Sequence, residues 1–146
     1  MLVKIKKLYF DAVIPTQGSD QAAGYDLYAR GLLGECAIIQ PHETRMIGTG
    51  IAMEIPNGYF GGIYPRSGLA TKSGLRPANC VGVIDSDYRG EIKVAIHNDS
   101  NTPKMVNDGD RVAQLIIQPY LNVEFEEADE LSGTERGSGG FGHSGQ

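Results

Sequence analysis

The chain has 146 residues and a formal net charge of -5, and no apolar run approaches the length of a membrane-spanning helix. This size corresponds to one domain, and the acidic balance argues against non-specific affinity for nucleic acid, which requires a basic surface. Cys36 and Cys80 are the only cysteines and have no Cys-x-x-Cys spacing, so neither a zinc site nor a redox motif is indicated. We therefore expect a soluble, cytoplasmic protein that binds neither DNA nor membranes directly.

The first half of the chain contains the signals of a series of short strands. Val3 and Ile5 share one face of the first segment, and Pro56-Asn57-Gly58 is a strong turn signal between two later ones. Short strands separated by turns, with almost no helical periodicity, are typical of an all-β sandwich or barrel. The predicted strands are 2–10, 23–29, 37–39, 45–47, 51–55 and 58–64.

The strand pattern is interrupted once, by a segment that favours a short helix. Leu69 and Lys72 are good helix formers, and Gly74 is a typical C-terminal stop. We expect about two turns of helix, with Ser67 at the N-cap. Because free amides at a helix N-terminus attract anions, Arg66 and Ser67 at this start predict an anion site. The segment lacks the Gly-Lys-Ser/Thr core of a phosphate-binding P-loop.

The segment 81–98 predicts a β-hairpin that carries the best candidate for catalysis. An apolar run ends directly before Asp85, and apolar residues recur at every second position from Ile92 to Ile96. A carboxylate at the edge of an apolar strand can be partly desolvated, which raises its affinity for a proton and makes it a plausible general base. On this segment alone, a purely structural turn role for Asp85 and Asp87 is favoured, because carboxylates are common in turns.

Two polar side chains lie inside predicted strands. Asp26 is flanked by aromatic and aliphatic residues, and Gln114 lies in the predicted strand 110–118 among apolar neighbours. A buried charge or amide requires a partner. For Asp26 a structural and a functional role both stay open, and the partner of Gln114 is either backbone or a ligand.

The segment 132–146 is rich in glycine and serine, which predicts a flexible tail after a folded domain of residues 1–131. Residues 137–142 formally match the dinucleotide motif G-x-G-x-x-G, but too few residues follow for the required helix. Arg136 and Phe141 do not fit a purely disordered tail. A mobile tail with one cation and one aromatic ring is how a lid over a base and its phosphates could be built.

Five segments resemble, in order and spacing, the motifs of the homotrimeric dUTP diphosphatase (dUTPase) family. The resemblance covers residues 23–142, and five motifs in series are far more specific than any one alone. The segments are Ala23-Gly24-Tyr25-Asp26-Leu27, Pro65-Arg66-Ser67-Gly68-Leu69-Ala70, Gly82-Val83-Ile84-Asp85-Ser86-Asp87-Tyr88-Arg89-Gly90, Gly109-Asp110-Arg111-Val112-Ala113-Gln114-Leu115 and Arg136-Gly137-Ser138-Gly139-Gly140-Phe141-Gly142.

The resemblance implies an all-β, distorted jelly-roll-like barrel or sandwich with one short helix and a flexible glycine-rich tail. It also implies a homotrimer whose sites are shared between subunits. The implied reaction is the hydrolysis of dUTP to dUMP and pyrophosphate with Mg²⁺, by attack of water on the α-phosphorus. That reaction limits uracil in DNA and supplies dUMP for thymidylate synthesis.

The resemblance further implies a role for each matching residue. Asp85 would activate the attacking water, and Asp26 would hold Mg²⁺ through water, since Mg²⁺ dehydrates reluctantly. Asn79 and the backbone from Gly82 would read uracil, and Tyr88 would pack on the deoxyribose. The implied substrate-binding residues are Arg66, Ser67, Gly68, Asn79, Gly82, Val83, Ile84, Tyr88, Lys93, Gln114, Arg136, Ser138, Gly139 and Phe141.

The phosphate contacts and the lid complete this implied site. Arg66, Ser67 and Gln114 would hold the phosphate chain, Arg136 and Ser138 would contact the γ-phosphate, and Phe141 would stack on uracil. His143 follows the fifth motif where many relatives carry serine, so no role is assigned to it.

Three further functions are compatible with the same fold. A dCTP deaminase, or a bifunctional relative, uses an acid in its third motif region to deaminate cytosine, but lacks the lid sequence seen in 136–142. A non-catalytic nucleotide sensor would order its tail on binding dUTP, and a plain jelly-roll binding module would have no turnover. The intact Asp85 argues against a loss of catalysis.

Overall fold

The computed structural model describes residues 1–31 and 36–140, whose regular secondary structure consists of short antiparallel strands and one short helix. The prediction of an all-β fold is therefore confirmed. In the part of the chain that is described, no helix has the length and apolar character needed to cross a bilayer. The strands are β1 (Lys4–Lys7), β2 (Thr16–Gln17), β3 (Tyr25–Tyr28), β4 (Cys36–Ile39), β5 (Thr44–Gly48), β6 (Ile51–Glu54), β7 (Tyr59–Tyr64), β8 (Leu75–Pro77), β9 (Gly82–Ile84), β10 (Lys93–Asn98), β11 (Lys104–Asn107) and β12 (Arg111–Pro119).

The strands form four sheets around a single core. The largest sheet has the order β2-β3-β12-β7-β9, and a second has the order β5-β10-β8, while β1 pairs with β6 and β11 with β4. Buried side chains from all four sheets pack into one cluster, for example Leu27 of β3, Ile39 of β4, Ile51 of β6 and Ile96 of β10. Burial of this shared core is the main driving force for the fold. Val3 and Ile5, which the sequence predicts on one strand face, both pack against this core.

The predicted hairpin over residues 81–98 is wrong. β9 pairs with β7 at one edge of the five-stranded sheet, whereas β10 lies between β5 and β8 in another sheet. Both edges of β10 are therefore occupied, so β9 cannot pair with β10. Residues 85–92 connect the two sheets through a turn in which the Tyr88 N–H donates to the Asp85 carbonyl at 3.2 Å. The predicted strands and turn are present, but the pairing is not.

The helix between β7 and β8 is short and tightly ended. Residues 67–68 are α-helical and Leu69–Ser73 have π-helical hydrogen bonding. Gly74 ends the helix with φ 68°, a left-handed conformation that glycine adopts without strain, and its N–H donates to the Ala70 carbonyl at 3.1 Å. The predicted stop at Gly74 is confirmed. The predicted N-cap at Ser67 is wrong, because Ser67 is itself helical, and among the described residues no side-chain cap bond forms where the π-helical part begins at Gly68.

Candidate functional site

The register of the central sheet brings three distant segments into one row. Gln114 of β12 lies opposite Asp26 of β3 on one side and opposite Tyr64 of β7 on the other. Directly opposed residues in an antiparallel sheet point to the same face. Because Tyr64 is followed by Pro65 and Arg66, this row places the first, second and fourth sequence motifs at one end of the sheet.

Asp26 is a nearly buried carboxylate held between two arginines. Its side chain accepts a hydrogen bond from Arg66 Nε to Oδ1 at 2.7 Å and from Arg111 Nη1 to Oδ2 at 3.2 Å, and the residue is 8% exposed. An unpaired charge at this depth would be costly, so the two guanidinium groups make the burial tolerable. Asp26 in turn holds both cations at the rim of a cavity. The structural role left open by the sequence is therefore present.

A β-bulge explains why Arg111 faces Asp26. The register between β3 and β12 shifts between Arg111 and Ala113, so Arg111 lies opposite Tyr28 while Gln114 lies opposite Asp26. Asp26 and Tyr28 share one face of β3 because side chains alternate along a strand. The bulge thus puts Arg111 and Gln114 on the same face, although their spacing in a regular strand would separate them.

Gln114 is half-buried rather than buried, and its amide is fixed by the backbone. Its Nε2 donates to the Pro65 carbonyl at 2.9 Å. A Cβ built on Gly24 would overlap Gln114 Oε1 and lie 3.1 Å from its Cδ, so only glycine fits under this side chain. Gly24 of the first motif therefore leaves the space that the Gln114 amide of the fourth motif occupies.

These residues line a cavity of about 480 Å³ that is rich in positive charge. It contains three cations and one carboxylate, in a protein whose net charge is -5. A local excess of cations in an acidic protein favours an anionic ligand. The charged and polar lining residues are Asp26, Arg66, Ser67, Lys72, Ser73, Arg111 and Gln114, and Gly68 lines the same space.

Asp85 lies elsewhere on the chain, directly after the edge strand β9. It lines two neighbouring cavities, one of about 320 Å³ and one of about 670 Å³. The Asp85 side chain is exposed, so the partial desolvation predicted from the apolar run is wrong for the single chain. The smaller cavity is also lined by Met46, Val83, Ile84, Tyr88, Glu91 and Lys93.

The backbone of β9 is held close to Asn79. A Cβ on Gly82 would lie 3.1 Å from Asn79 Nδ2 and 3.2 Å from the Cβ of Ile63, so glycine allows the amide to approach the strand. Segment 78–80 is anchored by Arg76, whose Nη1 donates to Cys80 Sγ at 3.1 Å. The Arg76 hydrogen bond to Asp99, with Nε to Oδ2 at 2.7 Å, lowers the pKa of that carboxyl below its ordinary value.

Tyr88 and Lys93 are oriented by the connection between β9 and β10. The Tyr88 hydroxyl donates to the Glu91 carbonyl at 3.1 Å, and a Cβ on Gly90 would overlap this hydroxyl. Lys93 Nζ lies 3.4 Å from Glu91 Oε2. The ring and the ammonium group both border the smaller Asp85 cavity.

Among the described residues, the cavities at Asp85 share no lining residue with the cavity at Asp26. The sequence-predicted site therefore falls into two parts within one chain. One part contains Asp26, Arg66, Ser67, Gly68 and Gln114, and the other contains Gly82, Val83, Ile84, Asp85, Tyr88 and Lys93 together with Asn79.

Residues 132–140 of the tail line none of the three cavities described above. Residues 120–138 are exposed, and Arg136 Nε donates to the Gly139 carbonyl at 2.8 Å, which closes a local turn containing Ser138. Phe141 lies outside the described residues. The lid role of the tail, its flexibility and the boundary at residue 131 stay predictions.

Comparison with known protein families identifies the family to which this fold and these motifs belong. The dUTPase family model matches residues 11–145. The chain belongs to the dUTPase family. Its similarity to named relatives extends over the full length: it is 49% identical to the deoxyuridine 5′-triphosphate nucleotidohydrolase of Nautilia profundicola, with 100% of each chain covered. It is 46% identical to the Hydrogenobaculum protein of the same name, with 99% of each covered.

Solved dUTPases share the fold. The Staphylococcus bacteriophage 80alpha dUTPase with dUpNHpp superimposes with a TM-score of 0.84 at 29% identity, covering 99% of both chains. A dUTPase variant from phage phi11 of S. aureus, described with a structural Mg(II) ion, gives a TM-score of 0.80 at 25% identity and covers 91% of this chain and 100% of its own. The predicted jelly-roll-like fold of the dUTPase family is therefore confirmed.

Arg111 is a site residue of this dUTPase-family chain for which the sequence alone predicts no role. It is one of two cations on Asp26 and lines the cavity. Regular alternation along β12 places it on the opposite face from Gln114, and the bulge that reverses this is not visible in the sequence pattern. The sequence feature that could identify Arg111 as a site residue is its position inside the fourth motif, next to Asp110. Lys72 also lines this cavity, and the sequence alone predicts no ligand contact for it.

Proposed function

We propose that this chain hydrolyses dUTP to dUMP and pyrophosphate. The observation that carries the proposal is the cationic cavity around Asp26, Arg66 and Gln114, built from three motifs of a family whose relatives are named deoxyuridine 5′-triphosphate nucleotidohydrolases. A triphosphate approaching a protein of net charge -5 requires such a local reversal of charge.

In this proposal the cavity binds the phosphate chain. Arg66 and Arg111 offer guanidinium N–H donors beyond those used on Asp26, and Ser67 offers a hydroxyl. The Gln114 amide, fixed on the Pro65 carbonyl, retains a second N–H for a phosphate oxygen. Phosphoryl transfer depends mainly on positioning and charge neutralisation, so that no covalent nucleophile is needed.

Asp85 acts as the general base toward a water molecule that attacks the α-phosphorus. General-base assistance of this kind contributes about 10²–10⁴ in rate. Asn79 and the free edge of β9 bind uracil through hydrogen bonds, while Tyr88, fixed on the Glu91 carbonyl, packs on the deoxyribose and excludes a 2′-hydroxyl. Cytosine presents the wrong donors and acceptors, and a buried polar group left unpaired costs about 1–3 kcal/mol.

The residues present fit a Mg²⁺ ion that arrives with the substrate. Each Asp26 oxygen accepts one guanidinium bond and retains acceptor capacity for water. Mg²⁺ keeps several waters and is commonly bound through one or two carboxylates together with substrate phosphates, so Asp26 would hold it through water. Bound there, Mg²⁺ would neutralise charge that develops on the phosphate oxygens.

We propose that the two parts of the site are completed between subunits of a homotrimer. The support is that Asp85 and Asp26 border separate cavities within one chain, although both are required for the reaction. The tail then supplies Arg136, Ser138 and Gly139 near the γ-phosphate, and Phe141 stacks on the base. A cytoplasmic location fits the free thiols of Cys36 and Cys80, since reducing compartments keep cysteines unpaired.

The decisive experiment is a substrate panel of dUTP, UTP, dTTP and dCTP, each with and without Mg²⁺. Pyrophosphate and ammonia release are measured in parallel. We expect pyrophosphate from dUTP alone, dependent on Mg²⁺. Ammonia from dCTP would contradict the proposal in favour of a deaminase, and the absence of any turnover would favour a binding module.

A further inference from the structure

Lys72 provides a positive charge in the cavity at Asp26 that no acid among the described residues neutralises. It lies in the short helix and lines the same cavity as Arg66 and Arg111. Both arginines are already paired with Asp26. Within residues 1–31 and 36–140, Lys72 forms no salt bridge, and its side chain is exposed.

The three cations of the cavity are therefore not equivalent. Asp26 offsets part of the charge of the two guanidinium groups and fixes their orientation, so they act as preorganised donors. The Lys72 ammonium is a compact charge on a flexible stem with three donors, which can follow a ligand rather than fix its position. Its charge is fully available to an anion that enters the cavity.

We propose that Lys72 is a substrate-binding residue for the phosphates that leave as pyrophosphate, and that it distinguishes a nucleoside triphosphate from a monophosphate. The inference rests on the proposed function, in which the cavity at Asp26 holds the phosphate chain and the α-phosphate lies toward Asp85. A monophosphate then lacks the group that Lys72 contacts. Lys72 thereby favours substrate over the product dUMP.

The test compares the wild-type protein with Lys72→Met and Lys72→Arg. Lys6→Met serves as the control, because Lys6 is exposed on β1 and borders none of the three cavities described above. The ligands are dUpNHpp with Mg²⁺, inorganic pyrophosphate with Mg²⁺, and dUMP, with dissociation constants from isothermal titration at two salt concentrations. Thermal unfolding confirms that each variant is folded.

We expect Lys72→Met to weaken binding of dUpNHpp and pyrophosphate by about 10- to 100-fold, the range for loss of a hydrogen bond to a charged group. Binding of dUMP should stay unchanged, and Lys72→Arg should retain most of the affinity. The dependence of dUpNHpp binding on salt should also be smaller in Lys72→Met, because one charge contact is removed. Lys6→Met should behave as wild type.

Two outcomes would overturn the inference. The first is unchanged binding of dUpNHpp by Lys72→Met, and the second is an equal loss for dUMP and dUpNHpp, which would assign Lys72 a structural effect on the whole site. Failure of the proposed function is recognised separately, because a wild-type protein without dUTP turnover would contradict that proposal whatever Lys72→Met does.

Discussion

Gln114 lies directly opposite Asp26 in the pairing of β12 with β3, and this single register relationship joins the polar groups of the cavity at Asp26. The Gln114 amide reaches sideways to the Pro65 carbonyl at 2.9 Å, while the Asp26 carboxylate reaches Arg66 Nε at 2.7 Å. Each polar residue of the pair therefore binds the segment that precedes the short helix. A sheet register is rigid, so the orientation of this segment is set before a ligand arrives.

Gly24→Ala should impair the enzyme by displacing Gln114. The new methyl group would overlap Gln114 Oε1, and relief of the overlap requires the amide to leave the Pro65 carbonyl. We expect kcat/KM for dUTP to fall by about 10-fold or more, as for the loss of one hydrogen bond to a charged group. Steady-state kinetics across a dUTP concentration series measures this change.

A double variant separates this mechanism from general damage near Gly24. If the methyl group acts through Gln114, then Gly24→Ala added to Gln114→Ala should cause little further loss, because the displaced side chain is already absent. Additive losses in the double variant would show that Gly24 matters for another reason.

Asp85→Asn should abolish turnover and leave nucleotide binding intact. The amide preserves the shape of the carboxylate but cannot accept a proton from water at neutral pH, so we expect kcat to fall by about 10²–10⁴. The dissociation constant for dUpNHpp should stay near the wild-type value. Single-turnover hydrolysis of dUTP and titration with dUpNHpp measure the two quantities.

Asp87→Asn is the matched control, since Asp87 lies in the same exposed connection and is predicted to serve only the turn. Near-normal turnover is expected for this variant. If Asp85→Asn retained wild-type turnover, or if Asp87→Asn lost as much, the assignment of the general base to Asp85 would be wrong.

Local features of the fold follow from the sequence, whereas pairing between distant strands does not. The strands at 51–55 and 58–64 and the helix stop at Gly74 are visible because alternation and turn residues act over a few neighbours. The same local signals predict the hairpin at 81–98. That prediction fails because both neighbours of β10 come from elsewhere in the chain.

The candidate site shows the same limit. Asp26 and Gln114 are recognisable as polar residues in apolar strands, but their mutual contact depends on the register of β3 with β12. The role of Arg111 depends on a bulge, which reverses the face of one residue without changing the sequence pattern. The exposure of Asp85 follows from its position after an edge strand, which the apolar run before it does not reveal.

Asn98→Ala should destabilise the fold without a direct effect on the site. Asn98 is fully buried, and its Nδ2 lies within 3.0 Å of the Ile39 carbonyl and 2.9 Å of the Thr102 carbonyl, while its Oδ1 accepts from the Ser100 hydroxyl at 2.7 Å. Truncation leaves several buried groups unsatisfied, so we expect a loss of about 2–4 kcal/mol in the free energy of unfolding.

Urea denaturation at one fixed protein concentration measures this loss, because association makes apparent stability depend on concentration. The control is Asn122→Ala, at an exposed position, for which a change within about 0.5 kcal/mol is expected. Equal stability of the two variants would mean that the Asn98 hydrogen bonds contribute no net stability.

Deletion of residues 132–146 should remove activity and preserve the folded domain. The described part of this segment is exposed through residue 138, and Arg136 bonds only to Gly139 among the described contacts, so no core packing is lost. Turnover should fall sharply because the γ-phosphate loses Arg136 and the base loses Phe141. The midpoint of thermal unfolding should stay at the wild-type value.

Phe141→Ala is the narrower variant, with an expected loss of about 1–3 kcal/mol in dUpNHpp binding, the range for stacking of a base on an aromatic ring. A fall in the unfolding midpoint as large as that of Asn98→Ala would instead make the tail a structural element, and full activity of the deletion variant would remove the lid from the mechanism.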